Sequence, residues 1–460
     1  MNKQDLAAIV LAAGKGTRMK SSRAKVLHEI AGKPMLYYPL QAARQAGFER
    51  TQVVVGHQAE EVRSAVADSG VGFVEQTQQL GTGHALLCAA EVMNDFSGTL
   101  LLLCGDVPLL RAETLLEMLE THHREQAAVT VLTAELERPT GYGRIIRDDA
   151  TVLRIVEEKD ATAEEKRVKE INTGTYLFDA QFVFSALQGV GCENAQGEYY
   201  LTDVVAAAVK AGLPTRAVVL GEQDEAMGIN DLRQLAVATA LMRQRINDEL
   251  MCSGVTMLDP ATVYVDAGVE IGAGSLLHPN VMLRGETSVG PDCVVEMGVM
   301  VDDSRIAANV HLKTGSVIED SDIGNNCKIG PMAHLRPGTN LAGDNKIGNF
   351  VETKKAVFGL GSQASHLTYV GDADVGKGVN FGCGTITCNY DGVNKYQTII
   401  EDDVFIGSDT QFIAPVRIGR NSLIAAGSTI TKDVPADSLA LSRSEQKVIE
   451  GWRLRKQKKQ

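Results

Sequence analysis

A ladder of apolar residues spaced about six positions apart runs through the C-terminal half of the chain and limits its fold more than any other feature. Neither an α-helix, with a period of 3.6 residues, nor a flat strand, with a period of two, produces a repeat of six. A coil with three short strands per turn does, because each six-residue side then points one apolar residue inward. The ladder therefore predicts a parallel β-helix, with an ordinary sandwich of irregular strands as the alternative. Its rungs are Ile271, Leu277, Leu283, Val289, Val295, Val301, Ile306, Leu312, Ile318, Ile323, Ile329, Leu335, Leu341 and Ile347, and then Ile400, Ile406, Phe412, Ile418, Ile424 and Ile430.

Glycine follows the inward-pointing residue at many rungs of this ladder. Glycine reaches backbone conformations that other residues avoid, so we expect these positions to form the sharp corners of the coil. The glycines are Gly272, Gly290, Gly324, Gly330, Gly348, Gly407 and Gly419.

Length, charge and cysteine content exclude several classes of protein. A chain of 460 residues is expected to form at least two domains. Its formal net charge of -13 argues against a general binder of nucleic acid or of membrane surfaces, so any anionic ligand must be held by local cationic and backbone groups. No apolar run is long enough to cross a bilayer. The eight cysteines are scattered without a CxxC pair, which predicts reduced and mostly buried thiols.

The first 230 residues alternate apolar strands with helical patterns, which predicts an α/β domain with a mainly parallel sheet. The run at residues 6–11 resembles the core of a signal peptide, but Gly14, Lys15 and Arg18 follow where a cleavage site would need small residues. We therefore interpret it as the first buried strand of a cytoplasmic protein. The other expected strands cover residues 52–55, 72–75, 99–104 and 128–133. Ligands of such domains bind at the carboxyl ends of the strands.

Two strand ends carry residues suited to binding phosphate and a metal ion. The string Leu11-Ala12-Ala13-Gly14-Lys15-Gly16-Thr17-Arg18-Met19 places glycines where the backbone can approach phosphate oxygens, with cationic side chains beside them. Asp106 follows a buried strand and could bind a hard cation such as Mg²⁺. An aspartate that only caps the next turn is the alternative.

The whole N-terminal string resembles the start of sugar-nucleotide pyrophosphorylases, and further matching segments follow in the order of that family. The resemblance implies that Arg18 and Lys25 assist transfer of the nucleotidyl group and that Asp106 and Asn230 bind Mg²⁺. Ala24 stands where the family usually has proline before the lysine. By the same resemblance, UTP and the UDP-sugar product contact Leu11, Ala12, Ala13, Gly14, Lys25, Gln76, Gly81, Thr82, Cys104, Gly105, Asp106, Gly143, Glu157, Asn172 and Asn230.

A helical pattern separates this region from the ladder. Apolar residues at mixed three- and four-residue spacings, with Asp231 as a plausible N-cap, predict a linker helix over residues 231–251. The ladder then loses its register between residues 353 and 399, where cationic and polar side chains collect. Cations concentrated in an acidic protein indicate a second anionic ligand. His366 lies in this stretch, and a neutral imidazole can accept a proton from an attacking amine near pH 7.

The strings His366-Leu367-Thr368-Tyr369-Val370-Gly371-Asp372 and Asn380-Phe381-Gly382-Cys383-Gly384-Thr385 resemble the acetyltransferase half of bacterial N-acetylglucosamine-1-phosphate uridyltransferase/glucosamine-1-phosphate acetyltransferases. This resemblance covers essentially the whole chain. It implies a bifunctional enzyme of UDP-N-acetylglucosamine synthesis, which supplies peptidoglycan and lipopolysaccharide, with a Rossmann-like nucleotidyltransferase domain (residues 1–230), the linker helix, and a left-handed β-helix acetyltransferase domain (residues 252–460). It also implies a homotrimer that binds small-molecule substrates and neither nucleic acid nor membrane.

The same resemblance assigns roles within the β-helix. His366 accepts the proton of the amine, and Glu352 is expected to orient it. Cys383 stands where these enzymes often have alanine. Glucosamine 1-phosphate is expected to contact Arg336, Lys354, Tyr369, Asn380 and Lys395. Acetyl-CoA is expected to contact Cys383, Asn389, Tyr390, Ser408, Ala426 and Arg443.

Two other interpretations are open at this point. A pyrophosphorylase with a single activity could use the β-helix only for assembly. A β-helix metalloenzyme or scaffold similar to γ-class carbonic anhydrases would need histidines that are distant in sequence to converge by stacking. Those histidines are His278, His311, His334 and His366.

Overall fold

The structure is a computed structural model that describes residues 5–457. Two compact units divide between Met242 and Arg243. The division falls inside the long helix Leu232–Cys252, which occupies the region predicted as a linker helix.

The first unit is built on a nine-stranded mixed sheet. Four neighbouring strands pair parallel in the order β5-β4-β1-β6, β10 pairs antiparallel with both β6 and β7, and β11 pairs parallel with β7. The rest of the sheet follows as β7-β11-β9-β8, and β2 and β3 form a separate hairpin. The strands are β1 (Leu6–Ala12), β2 (Glu29–Ile30), β3 (Lys33–Pro34), β4 (Arg50–Val55), β5 (Gly72–Glu75), β6 (Thr99–Cys104), β7 (Val129–Glu135), β8 (Arg144–Asp148), β9 (Thr151–Val156), β10 (Glu170–Asp179) and β11 (Thr215–Val219).

Helices cover the sheet because both of its faces are apolar. β1 is buried on both faces, so its side chains enter two separate apolar cores. All five strands predicted from the sequence are present within about two residues of the expected bounds. The α-helices of this unit are α1 (Tyr37–Gln45), α2 (Ala59–Ala65), α3 (Thr82–Cys88), α4 (Ala112–Arg124), α5 (Ala180–Leu187) and α6 (Asp203–Lys210), and its 3₁₀ turns are Thr17–Met19, Lys25–Leu27, Ala67–Ser69, Glu165–Arg167 and Gln223–Ala226.

The second unit contains the end of α7 (Leu232–Cys252), a stack of short parallel strands, and the terminal helix α8 (Trp452–Gln457). A 3₁₀ turn, Pro260–Thr262, precedes the second strand of the stack. The strands are β12 (Thr256–Met257), β13 (Tyr264–Val265), β14 (Glu270–Ile271), β15 (Leu276–Leu277), β16 (Met282–Arg284), β17 (Ser288–Val289), β18 (Val294–Val295), β19 (Met300–Asp302), β20 (Arg305–Ile306), β21 (His311–Leu312), β22 (Val317–Glu319), β23 (Ser321–Ile323), β24 (Lys328–Ile329), β25 (His334–Leu335), β26 (Thr339–Leu341), β27 (Lys346–Asn349), β28 (Glu352–Phe358), β29 (Gln363–His366), β30 (Tyr369–Val375), β31 (Asn380–Phe381), β32 (Ile386–Cys388), β33 (Thr398–Ile400), β34 (Phe405–Ile406), β35 (Gln411–Ile413), β36 (Val416–Ile418), β37 (Leu423–Ile424), β38 (Thr429–Ile430) and β39 (Leu439–Ala440).

The parallel β-helix is confirmed by the pairing of these strands. Each strand pairs with the one a full coil later, so that Leu277 stands beside Val295 and Val295 beside Leu312. One side of the coil is an eleven-stranded sheet, and the other two sides belong to a seventeen-stranded sheet. Every rung of the predicted ladder is at most 9% exposed, and together the rungs form one continuous core. The left-handed sense of the coil stays a prediction.

The glycines of the ladder serve a different purpose from the one predicted. Six of the seven do not adopt a positive φ, and Gly330 is the exception. In these six, an added Cβ would lie under 3.0 Å from backbone atoms of the next coil, as at Gly290 against Ala307. Close approach between coils therefore requires these glycines. Many of the left-handed corner residues are instead asparagines and aspartates, such as Asn309 and Asp403.

The expected irregular stretch between residues 353 and 399 is mostly regular. Its inward residues Phe358, Ala364, Val370, Val375 and Phe381 are buried and continue the three stacks. The sequence obscured them because five-residue steps and a small alanine interrupt the apolar pattern. Only residues 389–397, between β32 and β33, leave the coil, and we call them the excursion loop.

All eight cysteines are free, as predicted. The expectation that most are buried was wrong, because only Cys293 and Cys327 are fully buried, whereas Cys192 and Cys252 are exposed. Within residues 5–457, no helix combines the length and the apolar character that a bilayer span requires.

Candidate active sites

Four of the predicted residues of the first unit lie together in one cluster. The Lys25 ammonium contacts the Asp106 carboxylate and lies 3.0 Å from Asn230 Oδ1. Arg18 donates to the same Asn230 oxygen over 2.7 Å. Lys25, Asp106 and Asn230 are half-buried, whereas Arg18 is exposed. Residues separated by up to 212 positions in sequence thus form a single cationic and polar site.

Backbone hydrogen bonds explain how these residues meet. The N–H of Gly105 donates to the Leu11 carbonyl over 2.9 Å, which joins the ends of β1 and β6. The N–H of Ile229 donates to the Asp106 carbonyl over 2.9 Å and so brings Asn230 beside the carboxylate. Gly16 is needed because a Cβ there would lie 2.6 Å from the Lys25 Cβ. The loop Ala13 to Gly16 can therefore pack against the lysine only with glycine at this position.

The donor set at this cluster fits a divalent cation of the Mg²⁺ type. One ammonium group contacts an oxygen of both Asp106 and Asn230, so the two oxygens converge on a single point that a cation can occupy. One carboxylate and one amide oxygen are a small set, as expected for Mg²⁺, which keeps water and substrate phosphate among its ligands. Lys25 would have to move aside or turn toward the phosphates when such an ion binds.

A second group of predicted residues lies between β8, β9 and β10. The Asn172 N–H donates to the Gly143 carbonyl over 2.9 Å, and a Cβ on Gly143 would come within 3.6 Å of Glu157 Oε1. Burial raises the pKa of Glu157, although a hydrogen bond from Thr202 opposes this shift. A carboxyl group with a raised pKa, close to backbone polar groups, is well suited to hydrogen bonding with a neutral sugar.

Cys104 connects this group to the end of β6. Its thiol contacts the Gly174 carbonyl, and burial raises the pKa of the thiol to about 12. The thiol is therefore not nucleophilic near neutral pH.

Leu11, Ala12 and Ala13 lie at the end of β1, and Gly14 is exposed in the turn that follows, with open space where a Cβ would stand.

The predicted base-binding segment is packed against residues 199–201, which lie outside any regular element. Gln76 is 3% exposed, and its amide donates to the Gly81 carbonyl over 3.2 Å. The Gly83 N–H donates to the Tyr199 carbonyl, and Thr82 Oγ1 accepts a hydrogen bond from the Leu201 N–H. A Cβ on either glycine would lie under 3.0 Å from the Tyr199 backbone. These glycines are therefore packing requirements as well as turn residues.

Sequence reasoning missed an ion pair between the buried Arg144 and Glu158, next to the group that contains Gly143 and Glu157. Arg144 is 2% exposed, and it donates to Glu158 over 2.6 Å and also to the Tyr142 carbonyl. Glu158 additionally accepts a hydrogen bond from the Gly141 N–H. The pair fixes the loop that carries Gly143. The pattern of charged and apolar residues around Arg144 did not indicate that its side chain points into the core.

Three of the predicted cationic residues of the second unit, Arg336, Lys354 and Lys395, have charged neighbours. Arg336 donates to Glu352 over 2.7 Å. Lys354 lies beside Lys395, and this second ammonium group lowers the pKa of Lys354. A phosphate group bound between the two lysines would remove their mutual repulsion. A pocket of about 230 Å³ opens next to them, lined by Lys355, Asp372, Lys395, Tyr396 and Gln397.

Tyr369 and Asn389 lie beside these cations. The Asn389 amide contacts the Asp372 carboxylate and lies 3.5 Å from the Tyr369 hydroxyl. Asn380 is half-buried at the start of β31, in register with Gln363. The excursion loop brings Lys395 into this group, since Tyr390 and Lys395 pair across it.

His366 is exposed at the end of β29, and its Nδ1 lies 2.9 Å from Asn349 Oδ1. Glu352, which was expected to orient His366, accepts a hydrogen bond from Arg336 through Oε1, and its orienting role stays a prediction. Asn349 was not found from the sequence. Its partner is 17 positions away, and only the stacking of coils brings the two residues together.

Three of the predicted acetyl-CoA residues stack along the corner that carries His366. The register of β29, β31, β34 and β37 sets His366, Cys383, Ser408 and Ala426 at the same position of successive coils. The Asp409 N–H donates to the Cys383 carbonyl, and the Gly427 N–H donates to the Ser408 carbonyl. Arg443 donates to the Ala426 carbonyl over 3.0 Å and extends the row. A long ligand lying along this corner would reach the imidazole.

Within the described part of the chain, the other three histidines of the β-helix do not form a metal centre. His311 Nε2 lies 2.6 Å from Glu296, and His334 Nε2 lies 2.8 Å from Glu319. Among the residues that the structure describes, no three or more histidine, cysteine, aspartate or glutamate side chains are grouped so as to hold a metal. The metalloenzyme interpretation thus gains no support.

Comparison with known proteins agrees with this division into two sites. The profile of the nucleotidyl transferase family matches residues 7–224, the bacterial transferase hexapeptide profile (six repeats) matches residues 397–432, and the GMPPB C-terminal domain profile matches residues 260–363. The fold and sites thus define a bifunctional transferase, in which a nucleotidyltransferase domain is joined to a hexapeptide-repeat acyltransferase domain.

The similarity to curated proteins extends along the full chain. The bifunctional protein GlmU of Syntrophotalea carbinolica is 63% identical, over 99% of this chain and 98% of the relative. Those of Pelobacter propionicus and Geotalea uraniireducens are 56% and 53% identical, over 99% and 98% of this chain and 100% and 99% of the relatives. The chain belongs to the GlmU family. Family membership confirms the predicted acetyltransferase and uridyltransferase functions in UDP-N-acetylglucosamine synthesis and implies a need for a divalent metal.

Proposed function

We propose that the β-helix acetylates glucosamine 1-phosphate with acetyl-CoA, and that the α/β unit then transfers UMP from UTP to the N-acetylglucosamine 1-phosphate formed. The observation that carries this proposal is the presence of two separate cationic clusters, one around Lys25 and one around Lys354 and Lys395. Each cluster lies in its own compact unit. Two anionic substrates can therefore be bound at two sites.

In the proposed acetyl transfer, the amine nitrogen of the sugar attacks the thioester carbonyl carbon of acetyl-CoA. A carbon–nitrogen bond forms, the carbon–sulfur bond breaks, and CoA leaves as a thiolate, which then takes up the proton that the amine has lost. His366 accepts the proton of the amine. Arg336, Lys354, Tyr369, Asn380 and Lys395 bind the sugar phosphate. Acetyl-CoA lies along the row that contains Cys383, Ser408, Ala426 and Arg443, beside Asn389 and Tyr390.

In the proposed uridylyl transfer, a phosphate oxygen of the sugar attacks the α-phosphorus of UTP in line, and pyrophosphate leaves. Lys25 and Arg18 neutralise the charge that accumulates on the phosphates, and no covalent intermediate with the protein is needed. Asp106 and Asn230 would hold Mg²⁺, which when bound supplies further charge neutralisation at the triphosphate. Gln76, Gly81 and Thr82 bind the base, and Gly143, Glu157 and Asn172 bind the amino sugar.

Substitution of one residue in each site tests this division. His366→Ala is expected to lower acetyl transfer at least 100-fold and to leave uridylyl transfer from UTP and N-acetylglucosamine 1-phosphate unchanged. Lys25→Ala is expected to produce the opposite pattern. Both products are measured on the purified full chain, with each substrate omitted in turn. If either variant keeps its fold and loses both activities together, the division between the sites is wrong.

We further propose domain bounds at residues 1–230, 231–251 and 252–460, a homotrimer, and a cytoplasmic location, where UTP and acetyl-CoA are both supplied. The trimer is supported by a row of exposed apolar residues on one side of the β-helix. Phe405, Leu423 and Leu439 stand next to one another in register and are 51%, 45% and 62% exposed. Contact with another copy would remove this row from water.

A further inference from the structure

Asn349 and His366 occupy the same position on two successive coils of the β-helix. They are paired in the parallel register of β27 and β29, and the Leu367 N–H donates to the Asn349 carbonyl over 3.1 Å. Each residue is followed by a left-handed corner residue, Phe350 with φ 56° and Leu367 with φ 44°. The local backbone geometry of one coil thus repeats in the next and fixes the two side chains relative to each other.

The coils approach one another unusually closely at this corner. Gly348, which precedes Asn349, has no space for a Cβ because the Ser365 carbonyl oxygen of the next coil occupies that position. Asn349 is half-buried, whereas His366 is exposed. The asparagine is therefore the more constrained of the two side chains.

We infer that Asn349 is a positioning residue for acetyl transfer, which holds His366 in the tautomer that exposes Nε2 as the proton acceptor. This inference rests on the proposed role of His366. With Oδ1 facing Nδ1 at 2.9 Å, the amide oxygen accepts the Nδ1–H and leaves the Nε2 lone pair free.

The hydrogen bond also suits the imidazolium that forms during the reaction. Nδ1 carries a proton both before and after Nε2 accepts the proton of the amine, so the bond to Asn349 persists through the step. An amide oxygen orients the ring without adding a negative charge. A carboxylate at the same position would favour the protonated ring and so deplete the base near neutral pH.

Among the residues that the structure describes, no charged side chain is hydrogen-bonded to the His366 ring. Glu352, the nearest candidate from the sequence, is bound to Arg336. Lys354 and Lys395 lie beside each other and beside Asp372. The orientation of the imidazole is therefore assigned to one neutral neighbour.

The test compares Asn349→Ala and Asn349→Asp with the native chain, and uses Asn340→Ala, an exposed asparagine of β26, as a matched control. Asn349→Ala is expected to lower kcat for acetyl transfer 10- to 100-fold, with KM for glucosamine 1-phosphate changed less than threefold. Asn349→Asp is expected to recover part of kcat and to move the acidic limb of the kcat/KM profile to higher pH, because a carboxylate raises the pKa of the ring. Uridylyl transfer and the Asn340→Ala variant are expected to stay at native values.

Two results would overturn the inference. One is an Asn349→Ala variant with native kcat and pH profile, measured in a protein whose His366→Ala variant is inactive in acetyl transfer. The other is an Asn349→Asp variant whose pH profile coincides with that of the native chain. If His366→Ala itself retains acetyl transfer, the proposed role of His366 fails first, and this result is separate from the other two.

Discussion

At the scale of single residues, the site of the first unit depends on one oxygen that two cations share. Asn230 Oδ1 accepts hydrogen bonds from Arg18 and Lys25, and the Asn230 N–H donates to Gln234 over 2.7 Å. The amide is therefore held in a fixed orientation before any substrate binds. Preorganised oxygens of this kind favour metal binding because little conformational entropy is lost when the ion arrives.

Replacement of Asn230 by alanine is expected to raise the Mg²⁺ concentration needed for half-maximal uridylyl transfer at least tenfold, because one of two protein oxygens is lost. The measurement is a Mg²⁺ titration of pyrophosphate release at saturating UTP. Acetyl transfer by the same sample serves as the control for folding, since its site lies in the other unit. An unchanged Mg²⁺ requirement would place the metal away from Asn230.

The sequence could identify residues that act through their own chemical type, but not those that act through a spatial neighbour. Lys25, Asp106 and His366 were found from their type and their surrounding strings. Asn349 was missed because successive coils take either 17 or 18 residues, as Leu277, Val295 and Leu312 show, so the partner of a given residue cannot be counted. The buried Arg144 was missed because its partner Glu158 is 14 positions away and follows the next strand, β9.

At the scale of secondary-structure elements, polar side chains link the outer surface of adjacent coils. Glu296 contacts His311 Nε2 over 2.6 Å and accepts from both the N–H and the hydroxyl of Thr314. Burial acts to raise the pKa of Glu296, but these hydrogen bonds outweigh it and lower the pKa to about 2. A lowered pKa means that the ionised carboxylate of Glu296 is more stable in the folded state than in the unfolded state.

Glu296→Gln is therefore expected to destabilise the β-helix at pH 7 by about 1–2 kcal/mol, after allowance for partial exposure to solvent. The contribution of Glu296 to the free energy of unfolding is fully present above the unfolded pKa of about 4.5 and is lost as the pH falls toward about 2. Thermal melting followed by circular dichroism at pH 7 and pH 3 checks this difference. Glu270→Gln, on the exposed side of β14, is the control. A difference in Tm that is the same at both pH values would contradict the prediction.

The ladder predicted the element type correctly because burial of one residue per side is a local requirement. The predicted role of the glycines and the predicted irregularity of residues 353–399 were wrong, because both depend on how closely successive coils approach each other. A glycine such as Gly290 looks like a corner in the sequence and is a close contact in the structure. Threonines also replace apolar rungs there, since Thr353 and Thr387 are fully buried in the stack.

At the scale of the whole molecule, the proposed trimer predicts a sedimentation-equilibrium mass of about three times 49.3 kDa. Phe405→Glu combined with Leu423→Glu is expected to weaken association at least tenfold, because charge would be placed in the exposed apolar row. Uridylyl transfer serves as a control for the integrity of the other unit. A native chain that sediments as an active monomer would refute the trimer and any sharing of sites between copies.

The excursion loop tolerates changes in chain length better than the strands of the β-helix do. Phe381 and Ile406 occupy neighbouring coils although they are 25 positions apart, because residues 389–397 project from the stack and return to it. An insertion in this loop alters only what projects from the surface. An insertion of one residue within a strand elsewhere would instead turn the residues that follow it in that strand to the opposite face. Evolution or an engineer can therefore change ligand preference at this one point without redesigning the column that supports it.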